Sequence, residues 1–218
     1  LVRSARQPDG TLRTLPMAPG IPQYMSDHVI LLDFGDESGF DIIRAHAREV
    51  GTVLVEPSQS RRPDIDPEQF LHSLRALTEE LDIALIFDEV ITGFRMHPAG
   101  CQGLYGIQAD IATYGKAIGA GMPIGAIAGK RRYMDAIDGG VWQYGDRSYP
   151  KAETTFFAGT FFKHPLVMAV ARRALRPGAR AAVKRVAEAR VLIGQAGIRR
   201  IQQRQRDRLA GVHRRRAG

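Results

Sequence analysis

The chain has 218 residues, 44% of them hydrophobic and 25% charged, enough apolar material for one sizeable core. Its single cysteine, Cys101, excludes an internal disulfide and fits a reducing compartment; with no secretory signal in view, the expected location is cytoplasmic. The formal net charge of +8 is divided unevenly: residues 1–171 hold 16 basic and 21 acidic side chains, whereas residues 172–218 hold 15 basic and 2 acidic.

Val29-Ile30-Leu31-Leu32 reads as a first strand and Thr52-Val53-Leu54-Val55 as a second. Between them the helical spacing of Phe40, Ile43 and Ala47 predicts a helix from Glu37 to Arg48. Asp66-Pro67-Glu68-Gln69 is a strong helix start: an acceptor at the cap, proline at the first helical position, and Gln69 placed to reach back. The apolar stripe Phe70, Leu74, Leu77, Leu81 follows. Ile83-Ala84-Leu85-Ile86-Phe87 is a short continuous apolar run, read as a strand buried on both faces that delivers Asp88 to the carboxyl end of a parallel sheet. Strand alternating with helix is the order of an α/β fold, and ligands in such folds sit at the carboxyl ends of the strands.

Lys116 is the residue with most chemical content. It follows Tyr114-Gly115, precedes Ala117-Ile118-Gly119-Ala120-Gly121-Met122-Pro123-Ile124-Gly125, and has no acidic neighbour in sequence. A desolvated lysine amine is a nucleophile for an aldehyde, and a strand-end aspartate can hold a proton on a pyridine nitrogen. The bland readings are a lysine in a solvated turn and an acidic pair, Asp88-Glu89, capping a loop. Other chemistry fails by inspection. A P-loop would need glycine where Asp110 stands and serine or threonine where Ala117 stands, and a dinucleotide fingerprint from Gly119 would need glycine at Ile124. The six histidines have no metal-ligand spacing; His97 and His164 read as loop or cap residues, and no metal site is expected.

Three stretches together, Leu85–Arg95, Ala109–Lys116 and Gly119–Gly125, resemble the core of class III aminotransferases that depend on pyridoxal 5′-phosphate (PLP), in the glutamate-1-semialdehyde aminomutase-like branch. Val53-Leu54-Val55-Glu56-Pro57 and Glu153–Phe161 fall where that family has matching segments. The wording of Ser60–Asp64 and of Phe157–Pro165 is similar to aminotransferase domains embedded in hybrid non-ribosomal peptide and polyketide synthases. The resemblance runs from about Pro19 to Leu175. It implies the large cofactor domain of the fold type I PLP transferases, incomplete, over residues 1–175. It assigns Lys116 to the Schiff base with PLP, Asp88 to the pyridinium nitrogen, Val90 to one face of the ring and Glu56 to a carboxylate beside Asp88. From the residues alone, Glu56 reads equally well as a loop cap. Gly159 and Thr160 match residues that reach the cofactor phosphate from a neighbouring subunit, which implies a homodimer. The implied activity is amino transfer from an amine donor to a carbonyl acceptor. The synthase-like wording points to a carrier-bound β-keto thioester and an acyl carrier protein partner; a 2,1-aminomutase and an inactive fragment are the alternatives.

Residues 176–218 depart from that pattern and are arginine-rich with one lysine, Lys184. A basic tail can bind phosphate backbones, but nothing after Phe162 is aromatic and no nucleic-acid motif is present. A frame-shifted reading of a GC-rich gene accounts for the composition, and an amphipathic segment from Ala181 to Ile193 is the alternative. No membrane span is expected, because Ala117–Gly129, the longest weakly polar stretch, is short and interrupted by glycines and Pro123. The chain opens on Leu1, so an excerpt of a longer protein, inactive alone, is the expectation.

Overall fold

The computed structural model describes residues 2–59, 61–140, 145–160, 162–175 and 190–191. The tail from residue 176 on therefore lies outside the described residues except for Arg190 and Val191. The chain divides into two compact units, Leu1–Val50 and Gly51–Gly218.

In the first unit, β1 (Val2–Arg6) and β2 (Leu12–Pro16) form an antiparallel hairpin. Its turn is closed by Gln7 N–H on the Thr11 carbonyl at 2.8 Å and by Asp9 Oδ1, which accepts both the N–H and the hydroxyl of Thr11. Helices α1 (Tyr24–Asp27) and α2 (Gly39–Ala45) follow. The strand expected at Val29–Leu32 is absent. Val29 and Ile30 lie exposed, and Leu31 N–H goes to the Thr14 hydroxyl rather than to a ladder partner; β propensity without a strand to pair against does not make a strand. Helix α2 is shorter than predicted at both ends, because the backbone turns at His46, whose carbonyl takes Glu49 N–H and Val50 N–H.

The second unit holds a five-stranded sheet in the order β3 (Thr52–Val55), β4 (Ala84–Glu89), β5 (Ile111–Gly115), β6 (Gly125–Gly129), β7 (Arg190–Val191). The β3–β4 and β4–β5 pairs are parallel and the last two pairs antiparallel, so β6 alone runs against the other four. The expected α/β class with a mostly parallel sheet is what forms. Between β3 and β4, α3 (Glu68–Glu80) is capped by Asp66 Oδ1 on Glu68 N–H at 3.1 Å. The helix begins one residue later than the sequence implies, which moves Gln69 out of the reciprocal capping position, and Gln69 does not reach back. The buried stripe is Leu71, Leu74, Leu77 and Thr78; Phe70 and Leu81 flank it half-buried. The unit is completed by α4 (Gly100–Tyr105), α5 (Arg131–Asp138) and α6 (Pro165–Ala174). Among the described residues no helix is long and apolar enough to cross a membrane.

A buried carboxylate ties these elements together. Asp110, fully buried at the entry to β5, accepts Leu85 N–H of β4 and Arg75 Nη1 of α3 and ion-pairs with Lys130 Nζ beyond β6, each at 2.8 Å. Its own backbone N–H and carbonyl bond Leu85 O and Lys130 N at the same distance. Burial pushes the Asp110 carboxyl up, but Lys130, Leu85 and Arg75 together outweigh that and hold it below the usual carboxylate range. Asp110→Ala removes the shared partner of Arg75, which is largely buried, of Lys130 and, at 3.8 Å, of Arg132, and is expected to cost about 3 kcal/mol in urea unfolding. A group with a depressed native pKa stabilises above its unfolded pKa and loses that contribution as pH falls through its native value. The difference between wild type and variant should therefore shrink on acidification below the usual carboxyl range, and a constant difference through that acid range would refute the assignment.

Candidate active site

β3 ends at Val55, β4 runs two residues past that level to Glu89 and β5 three residues past it to Gly115. Val55 pairs with Phe87 and Phe87 with Ala112, so Glu56, Asp88 and Thr113 continue as one row at the carboxyl edge, with Lys116 three residues beyond Thr113. Asp88 is half-buried. Its Oδ1 accepts Val90 N–H at 3.0 Å and the Thr113 hydroxyl at 3.2 Å. Both bonds fall on one oxygen, which leaves Oδ2 for a donor from outside the fold.

Lys116 opens a 3-10 turn, Lys116–Gly119, directly after β5. Its φ is +42° and that of Ala120, just past the turn, is +45°, a left-handed conformation costing about 1–2 kcal/mol for a residue with a Cβ. The turn reverses the chain from β5 into antiparallel β6. Lys116 is exposed, and no ion pair engages its amine among the described residues. Desolvation of the amine, on which the expected Schiff-base role rests, is thus not supplied by the described residues, although Ile118 and Gly119 in the same turn are buried. Val90 lies just past the end of β4 beside Gly115, where an added Cβ would meet Val90 Cγ1 at 3.3 Å and the Ile124 carbonyl at 3.2 Å. An open carboxylate oxygen and an unpaired amine on neighbouring strand ends are groups suited to a cofactor bearing a pyridine ring and an aldehyde.

Glu56 is half-buried at the end of β3. Gly159 and Thr160 are exposed, on a segment anchored to the C-terminal end of α5 by Lys151 N–H on the Gly139 carbonyl and Thr155 N–H on the Ala136 carbonyl, each at 2.7 Å. This fold does not hydrogen-bond them to Asp88 or Lys116. A cavity of about 320 Å³ opens on the other side of the turn, lined by Phe94, Arg95, Met96, His97 and Ile118 among others; it includes neither Asp88 nor Lys116.

The sequence reading missed the group behind the row. Glu89 is wholly buried. Its Oε2 accepts Cys101 N–H at 2.6 Å and its Oε1 accepts Gln102 Nε2 at 3.3 Å. Gln102 Nε2 also donates to Tyr114 Oη at 2.9 Å, while Gln102 Oε1 accepts Ala109 N–H at 3.0 Å. Burial raises the Glu89 carboxyl pKa, pushes the Cys101 thiol up to about 11 and raises the Tyr114 phenol. The signal in sequence was an acidic residue following Asp88 in a strand buried on both faces, which must find internal donors.

The family profile described as Aminotransferase class-III matches residues 14–217. The chain belongs to the class III aminotransferase family. Its members depend on PLP, and the match runs on through residues 176–217, the stretch set apart by its composition. Similar curated proteins include the glutamate-1-semialdehyde 2,1-aminomutases of Natronomonas pharaonis, 40% identical over 74% of this chain and 34% of that protein, and of Legionella pneumophila strain Corby, 39% identical over 74% and 35%. The chain thus spans about a third of the length of these relatives. Among solved structures, an omega-transaminase from Sphaerobacter thermophilus superposes with a TM-score of 0.68 at 33% identity, covering 80% of this chain and 38% of that one. A glutamate-1-semialdehyde aminomutase from Pseudomonas aeruginosa PAO1 in complex with PMP gives 0.60 at 27% identity, covering 80% and 38%.

Gly100 is the tightest point of the buried group. It has φ +68°, and a Cβ there would run into the Glu89 carboxylate. Gly100→Ala combines an unfavourable backbone with a collision against a clamped carboxyl group, and is expected to cost about 2–4 kcal/mol. Melting within a degree or two of wild type would show that Glu89 can move aside.

Proposed function

We propose that this protein is a PLP-dependent aminotransferase in which Lys116 carries the cofactor and Asp88 faces its ring nitrogen. The observation that carries the reading is the left-handed Lys116 at the end of β5, beside the β4 end where Asp88 keeps one oxygen open. When bound, PLP supplies an electron sink for the carbon that bears the substrate's amine. Asp88 Oδ2 would hold the proton on the pyridine nitrogen, with Thr113 and Val90 N–H fixing the carboxylate's orientation. Val90 would back one ring face. Glu56, level with Asp88 on the neighbouring strand end, would shape the same edge. After a donor amine displaces it, the Lys116 amine would move a proton between the substrate carbon and the cofactor's C4′.

Gly159 and Thr160, exposed and remote in hydrogen bonding from Lys116, are proposed to serve a second copy of the chain by reaching its cofactor phosphate. Phe156, 92% exposed beside them, supports a covered surface in a homodimer. The acceptor is proposed to be a carbonyl compound, with a carrier-bound β-keto thioester and an acyl carrier protein as the specific pair; that choice rests on the wording of Ser60–Asp64 and Phe157–Pro165. A 2,1-aminomutase activity is the second reading, favoured by the names of the curated relatives. A cytoplasmic location fits either.

In the full-length protein, Lys116→Ala should abolish borohydride fixation of PLP at this peptide and nearly all turnover. Asp88→Asn should retain the fold and lose roughly a hundredfold or more in rate, the scale of removing one preorganised electrostatic partner. PLP fixed at another lysine with turnover intact in Lys116→Ala, or wild-type turnover in Asp88→Asn, would sink the respective role.

A further inference from the structure

We infer that Glu89 is a positioning residue that sets the spacing between Asp88 and Lys116 by way of Gln102 and Tyr114; this rests on the proposed roles of those two residues. Adjacent residues of a strand face opposite sides. Asp88 and Glu89 therefore fasten β4 to β5 from the two faces of the sheet at successive register positions, Asp88 opposite Thr113 and Glu89 opposite Tyr114. On one face the fastening is the Thr113 hydroxyl on Asp88 Oδ1. On the other it is Gln102, whose amide group donates to both Glu89 Oε1 and Tyr114 Oη.

The direction of these bonds is determined. Gln102 Oε1 is occupied by Ala109 N–H, so its amide nitrogen must point toward Glu89 and Tyr114. Glu89 is held in place by Cys101 N–H on its second oxygen at 2.6 Å, and its carboxylate fills the space that a Cβ at Gly100 would take. Tyr114 is pinned as well: its ring packs on Phe94 with centroids 5.3 Å apart and leaves no space for a Cβ at Gly93. Tyr114 stands two residues before Lys116, and Gly115 between them is buried, with Val90 and Ile124 bordering the space a Cβ there would take. A rotation of the β4 end against the β5 end would thus move Asp88 relative to Lys116, and the Glu89–Gln102–Tyr114 bracket opposes that rotation.

The test uses polarity exchange in the full-length protein. Glu89→Gln sets one amide donor against another, and Gln102→Glu sets two carboxylates together. The double variant, E89Q with Q102E, restores a complementary pair. Its amide at position 89 donates to the carboxylate at position 102, which still accepts Ala109 N–H and can accept the Tyr114 hydroxyl.

PLP affinity, the pH midpoint of the bound cofactor's absorbance change and the rate of borohydride fixation at Lys116 are measured beside the melting temperature. Each single variant should bind PLP about tenfold more weakly, by analogy with the loss when a partner that orients a metal ligand is altered, and should shift the midpoint; the double variant should recover both. Tyr114→Phe, which removes a single hydroxyl and keeps the ring, should move the same readouts in the same direction if Glu89→Gln does not fold. Lowered melting with unchanged affinity, midpoint and fixation rate would make Glu89 purely structural and overturn the inference. Failure of the wild type to fix PLP at Lys116 would instead overturn the site reading beneath it.

Discussion

The arrangement at the carboxyl edge depends on one buried charge cluster at the opposite end of the strands. Asp110 enters β5 fully buried and is answered there by Arg75, Lys130 and the Leu85 amide. A lone carboxylate in that position would cost several kcal/mol or bind a proton. With Arg75, Lys130 and a backbone amide at 2.8 Å and Arg132 at 3.8 Å, it stays ionised, and moving β4, β5 or the end of β6 from its place would break a contact to a charge. Parallel strands lack the short hairpins that fix antiparallel registers. Here Asp110 supplies that fixation at the entry, with α3, β4, β5 and the end of β6 all tied to one residue.

Register set at the entry is carried to the exit by an apolar strand with little freedom. Leu85 and Phe87 are completely buried, so a one-residue slip would reverse every side chain of β4 between the faces. The pairing of Phe87 with Ala112 therefore determines that Asp88 meets Thr113 and Glu89 meets Tyr114. At the exit the chain must turn sharply into antiparallel β6, and the positive φ values of Lys116 and Ala120 are where the turn is taken. Strain placed on a lysine rather than on one of the neighbouring glycines is chemically expensive unless the lysine is needed at that point.

Periodicity made much of this legible. The apolar runs at Thr52–Val55 and Ile83–Phe87 became β3 and β4, and the Asp66 cap with Leu74 and Leu77 became α3. What failed was what needs a partner. Val29–Leu32 has strand residues but no strand beside it, and β1 and β2 formed from a polar stretch that gave no apolar pattern to read. At the site, Asp88 and Lys116 were legible because each has a local context, a strand end and a glycine-rich turn. Gln102 was not, since its role comes from a short helix thirteen residues past Glu89 folding back beneath β4. The exposure of Lys116 was also hidden: apolar neighbours in sequence suggested burial, but the turn directs them and the lysine to different sides.

Asp88 and Glu89 show how far geometry outweighs residue type. They are neighbours with the same functional group, yet strand alternation sends one toward the open edge and the other into the core. Asp88 keeps partial exposure and an unfilled oxygen, the condition for meeting an incoming cation. Glu89 is desolvated, its pKa raised, with one backbone N–H and one side-chain amide donating to it. It can exchange nothing with solvent and so serves as a fixed point. Reversing the two, by a slip of one position, would bury the open carboxylate and expose the clamped one; the Asp110 cluster at the far end of β5 prevents that slip.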